Sequence, residues 1–137
     1  MSDAFNEEFL RHDDRYIWGG FVETAFRKNP MMEEKSRAWY INPIQLQYLE
    51  KNVRFLKNKN IPYIIIQAPI TNRLYNSRTN SDEVDSILNT YGRYKNFQKL
   101  IDLNDTLDFY DSNHLNQQAV EKFNEIFIDY IKNQNLL

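Results

Sequence analysis

One stretch limits the fold more than any other. A helix-length run opens at Asn42-Pro43, stops at Asn60 and Pro62, and passes straight into Tyr63-Ile-Ile-Ile-Gln-Ala-Pro69. Asparagine before proline marks a helix start. Its side-chain oxygen takes an orphan N–H of the first turn, and the fixed φ of proline suits the first helical position. Leu46, Leu49, Val53 and Leu56 then fall on one face, with Tyr48 and Phe55 widening it, so residues 42–59 read as an amphipathic helix. Lys51, Arg54, Lys57 and Lys59 cluster in its later turns, where cations suit the negative end of the dipole; they read as a solvated face. The next seven residues are short, β-branched and apolar, as a strand covered on both faces should be. A helix, a tight turn and a buried strand make half of a βαβ unit, which calls for a parallel partner strand. The expected fold class is α/β, with a small parallel sheet flanked by helices.

Other elements fit that frame. Residues 73–80 read as a polar loop, and residues 82–91 as a helix started by Ser81 and closed by Gly92. Phe97-Gln-Lys-Leu-Ile-Asp-Leu103 has the look of the second core strand. Residues 104–108 form a polar bend, with one helical turn expected at 106–108. Asn116 is an N-cap for a final helix whose apolar face carries Ala119, Val120, Phe123, Ile126, Phe127, Tyr130 and Ile131. Residues 1–40 are harder to read. Phe5, Phe9 and Leu10 suit a short helix, and Tyr16-Ile-Trp-Gly-Gly-Phe-Val22 a turn or short strand about the glycine pair. Met31 and Met32 suit gap-filling in a core, and Trp18 and Trp39 suit packing before cleft lining. His12 with Asp13 and Asp14 lacks the convergent spacing of a metal site and reads as surface.

Size and charge narrow the classes. The 137 residues support one domain with one modest core. An apolar content of 42% argues against disorder, and the formal charge of −2 offers no broad basic field for nucleic acid. There is no cysteine, so disulfides and thiolate metal sites are excluded while the compartment stays open. No run reaches the roughly 18 apolar residues of a membrane span. The acidic start MSDAFNEEFLRHDD does not read as a signal peptide. No cofactor or metal is expected.

Chemistry concentrates in Phe109-Tyr-Asp-Ser-Asn-His-Leu-Asn116. A short loop with Asp111 three residues before His114 can build an oriented general base: the carboxylate fixes the tautomer and stabilises the imidazolium. A histidine beside a helix N-terminus otherwise resists protonation, and a nearby carboxylate offsets that. Spacing alone leaves a locally capping histidine equally open. The string FYDSNHLNQQAVEKFNEIF resembles the last conserved block of the SGNH (GDSL-type) hydrolases, where D-x-x-H-L-N precedes the C-terminal helix. Trp39, Leu46, Tyr48-Leu49, Ile61-Pro62-Tyr63-Ile64 and Ala68-Pro69-Ile70-Thr71 look like the region before that block. The resemblance implies Asp111 as orienting acid and His114 as general base of a Ser-His-Asp triad for ester hydrolysis or acyl transfer. It also implies a partial three-layer α/β/α, flavodoxin-like sheet. The substrate would be a small-molecule or carbohydrate ester. Pro69, Thr71 and Asn72, following the strand, would be substrate-binding rim residues, because ligands in open α/β sheets sit at that edge.

The resemblance covers residues 39–131, the C-terminal half of such a domain, with residues 1–40 left over. No G-D-S or G-x-N-D string occurs, and Ser2, Ser36, Ser77, Ser81, Ser86 and Ser112 stand in no comparable setting. Without an activated hydroxyl, Asp111 and His114 can move a proton but not attack, so the chain alone is expected to hydrolyse esters poorly or not at all. A sheet of two or three strands would also leave an edge open. Residues 1–40, a second copy or a missing N-terminal half would have to cover it. The alternatives are a non-catalytic α/β binding or assembly module and, more weakly, a metal-dependent hydrolase using His114 with Asp111 and Asp108.

Overall fold

The computed structural model describes residues 14–17, 21–24, 29–30 and 33–134. Two strands, β1 (Asp14–Ile17) and β2 (Phe21–Thr24), pair antiparallel with Ile17 opposite Phe21; the glycine pair lies outside the described residues. Helix α1 (Pro43–Asn58) begins as expected, the Asn42 side chain accepting the Ile44 amide at 2.9 Å. It ends where Asn60 enters the left-handed region at φ 53°. Its inner face buries Val53 with Leu46, Leu49 and Leu56 half-buried.

Strand β3 (Ile65–Gln67) follows and pairs in parallel with β4 (Tyr94–Asn96), Ile65 lying opposite Tyr94 and Gln67 opposite Asn96. Two helices make the crossover, α2 (Asn72–Asn76) and α3 (Ser81–Tyr91), which completes the βαβ unit. Gly92 closes α3 at φ 150°, ψ −154°, a conformation nearly confined to glycine. A Cβ there would meet the Tyr63 hydroxyl at 2.5 Å, and that hydroxyl donates to the Tyr91 carbonyl. Last comes α4 (Gln117–Asn133), capped by Asn116.

Several expectations change: Tyr48 and Phe55 do not widen the buried face of α1 but stand exposed opposite Val53, and α3 is entered through Asn80 rather than Ser81. The second strand lies at 94–96 rather than 97–103. Asn96 ends it, because its Oδ1 accepts the Gln98 amide at 3.0 Å and starts a single 3-10 turn over Phe97–Lys99. Phe97 thereby leaves the sheet direction and drops fully buried against Phe123, Phe127 and Tyr130, at edge-on centroid distances of 5.3, 5.7 and 5.3 Å. Residues 73–80 are not all loop: Thr71 caps a short helix by accepting the Leu74 amide, and the Asp105 carboxylate takes the amides of Asn72 and Arg73. Residues 105–107 form a turn rather than a helical one. The expected helix around Phe5, Phe9 and Leu10, with His12, Trp18, Met31 and Met32, lies outside the described residues.

The core gathers at one corner. Leu103, Phe109 and Ala119 form it, with Ile101 and Leu115 packed against them. It supports the loop that leads into α4.

Candidate active site

Phe109 and Leu115 form an isolated antiparallel bridge, and the Tyr110 amide donates to the His114 carbonyl at 3.1 Å. The chain between them is thus pinched into a tight loop. Inside it the Asp111 Oδ1 accepts the amides of Asn113 (2.9 Å) and His114 (2.8 Å), an Asx turn. The same carboxylate meets the imidazole: His114 Nδ1 stands 2.9 Å from Oδ1 and 2.8 Å from Oδ2. The Tyr110 ring stacks on the imidazole at 5.3 Å with only 9° between the planes. Carboxylate on the edge and phenol on the face leave the imidazole little freedom to turn.

The electrostatics follow. Burial pushes the Asp111 carboxyl up, but the Asn113 amide, the His114 ring and the His114 amide outweigh it and hold it below the usual carboxylate range. An ionised Asp111 accepts a hydrogen bond from Nδ1–H, which leaves Nε2 as the basic nitrogen of the neutral ring. Among the described residues Nε2 has no partner, and no serine is bonded to the imidazole. His114 lines a cleft of about 300 Å³ with Pro69, Tyr110, Asn113, Gln117 and Val22.

The loop is also held from outside. The Ser112 carbonyl accepts both the amide and the hydroxyl of Thr71, each at 3.0 Å. The Ser112 hydroxyl donates to Glu34 Oε1 at 2.6 Å, and the Asn29 side chain donates to the Asp111 carbonyl at 3.2 Å. Glu34 in turn stands 4.0 Å from the buried Arg78 guanidinium. At the helix side Asn116 is almost wholly buried, its Oδ1 accepting the Ala119 amide and its Nδ2 donating to the Leu107 carbonyl.

The five residues singled out from sequence therefore separate. His114 and Pro69 line one cleft, and Asp111 reaches it only through its bond to His114 Nδ1. Thr71 is 2% exposed, and its side chain faces the Asp111–His114 loop as an anchor rather than the cleft. The Asn72 side chain donates its Nδ2 to the Leu103 carbonyl and accepts Gln98 Nε2 at its Oδ1, away from His114. Asn29, Glu34 and Ser112 were missed. Polar residues 78 and 82 positions away from their partners carry no local signal in a single sequence.

The metal alternative loses its ligand set. Asp108 is buried, with Oδ1 on Lys122 at 2.7 Å and Oδ2 on the Asn104 amide at 2.8 Å. No group of three or more His, Asp or Glu that could hold an ion occurs among the described residues. Nor is any helix among them long and apolar enough to cross a membrane. A family model spans residues 12–136, most of the chain. No curated protein and no solved structure matches.

Proposed function

The chain belongs to that family, one of uncharacterised function, and for it we propose an acid–base role at an SGNH-type acyl-ester site. His114 Nε2 takes the proton of the attacking hydroxyl and returns it to the leaving alcohol, while Asp111 holds the Nδ1 proton and offsets the imidazolium charge. The attacking seryl oxygen comes from outside the sequence motifs of this chain, so the isolated chain is a slow hydrolase in which water takes its place. The observation that carries this reading is the 2.8 Å contact between Nδ1 and the carboxylate, with His114 on the cleft wall and no partner for its other ring nitrogen among the described residues.

Hydrolysis of p-nitrophenyl acetate tests it. The expected result is a weak rate that falls to background in His114→Ala, with a smaller fall in Asp111→Asn. A rate indifferent to His114→Ala removes the reading.

A second reading, a non-catalytic binding or assembly module, draws on one feature. Ile44, Tyr48 and Phe55 stand 62, 59 and 58% exposed in a row along α1, opposite the face that buries Val53. An ester assay with no His114 dependence would favour it.

A further inference from the structure

Ile44, Tyr48 and Phe55 stand exposed along α1, and Lys51 stands exposed between the last two. The four are spaced 4, 3 and 4 residues apart, the alternation of a coiled-coil seam. At about 3.6 residues per turn they fall within an arc of about 60° and run for about 16 Å along the helix. Val53, the residue that α1 buries, lies on the opposite side. Exposed, neutral Gln47 and Asn52 border the seam. Glu50, the one acid of the helix, is already paired with Arg54 of the same helix at 2.8 Å.

The spacing reads the same from either end. A second copy of the helix laid antiparallel on the first, with a twofold axis midway between residues 49 and 50, brings Ile44 to Phe55 and Tyr48 to Lys51, each twice. Both pairings are favourable. Ile44 and Phe55 exclude water from each other. The Lys51 ammonium already lies 4.7 Å from the Tyr48 ring centroid in its own chain, and across the axis it would cover the ring of the other copy. A parallel pair would instead set Lys51 on Lys51, and the like charges would oppose it. A lipid surface would be met by cations along both borders of the seam, where this helix has Gln47 and Asn52.

We propose that this seam is the interface of an antiparallel homodimer, an isologous contact in which one patch serves both copies. The inference is independent of the acid–base reading, since the seam and the His114 cleft share no residue. Area sets the strength. Ile44, Tyr48 and Phe55, each about three-fifths exposed, offer roughly 300 Å² of apolar surface per copy. A standard interface takes roughly 800 Å² per partner, so this dimer is a weak one that forms only in concentrated solution.

The experiment follows tumbling times of the whole chain by NMR on dilution. A monomer is expected at about 50 μM and a growing dimer, with no larger species, towards about 1 mM. Ile44→Ser and Phe55→Ser, each checked for a native-like spectrum, should weaken the dimer about tenfold. The chain has no cysteine, so single introduced thiols report the register. Ile44→Cys chains mixed with Phe55→Cys chains under mild oxidation should give mainly the mixed disulfide, faster than either variant links to itself. A chain that stays monomeric at about 1 mM overturns the proposal, as does a dimer indifferent to both serine variants. Prevailing self-linked products would mean parallel helices and overturn the antiparallel seam. Phe55-dependent binding to phosphatidylglycerol vesicles, with no dimer, would give this face to a lipid surface instead.

Discussion

Two sides of the β3–β4 pair can be set against each other. On the His114 side, Leu103, Phe109 and Ala119 are buried, and polar neighbours such as Asp108, Asn116 and Thr71 are buried with partners in place. On the side of α1 and α3, α3 buries no residue fully and α1 buries only Val53, while Ile44, Tyr48 and Phe55 look outward. The first side holds a polar loop in one geometry, which needs satisfied hydrogen bonds as much as apolar packing. The second is packed less densely. Satisfied polar contacts are concentrated around the Asp111–His114 loop, and exposed apolar side chains along α1.

Several measurements would break or sharpen that contrast. The largest effect is expected for Phe109→Ala, which should cost about 3–5 kcal/mol in urea unfolding because the ring is fully buried in the corner core. A loss below about 1 kcal/mol would erase the difference between the sides. Next is Gly92→Ala, at the end of α3, expected to cost about 1–3 kcal/mol from its backbone conformation and its approach to Tyr63. A neutral result would show that the end of α3 can yield.

Smaller still is the contribution of the Asp111 carboxyl. Its pKa is lowered in the folded chain, so its stabilisation is in place above the ordinary carboxylate value near 3.9 and fades as pH falls through the folded value. Asp111→Asn should therefore be less stable than the parent at pH 6 by up to about 1 kcal/mol, a limit set by the partial exposure of the pair. The gap should close in the acid range below about pH 4, as urea midpoints would show. Least of all is Phe55→Ser, expected within about 0.5 kcal/mol because the ring is mostly in water. A large loss there would mean that the outer face of α1 is already covered in solution.

What could be read in the sequence was whatever is written locally. The α1 start at Asn42, its stop at Asn60, the closure at Gly92 and the Asn116 cap each depend on one or two neighbouring residues. Asp111 and His114 were legible for the same reason, since their contact is closed within one turn. The fourth strand was misplaced because Phe97, Ile101 and Leu103 are apolar for packing against α4 and the corner core, not for pairing in the sheet. The anchors were hidden because Asn29 and Glu34 act across most of the chain.

That last feature bears on the order in which the molecule comes together. Asn29 and Glu34 meet the 111–112 turn across separations of 82 and 78 residues, so these bonds close some of the largest loops the chain can make. Helices α1 and α4 can form early from neighbours alone. The Asp111–Ser112 turn is tied to the rest of the molecule only when these distant segments have met, which makes that anchoring a late arrival in folding and an early casualty of partial unfolding.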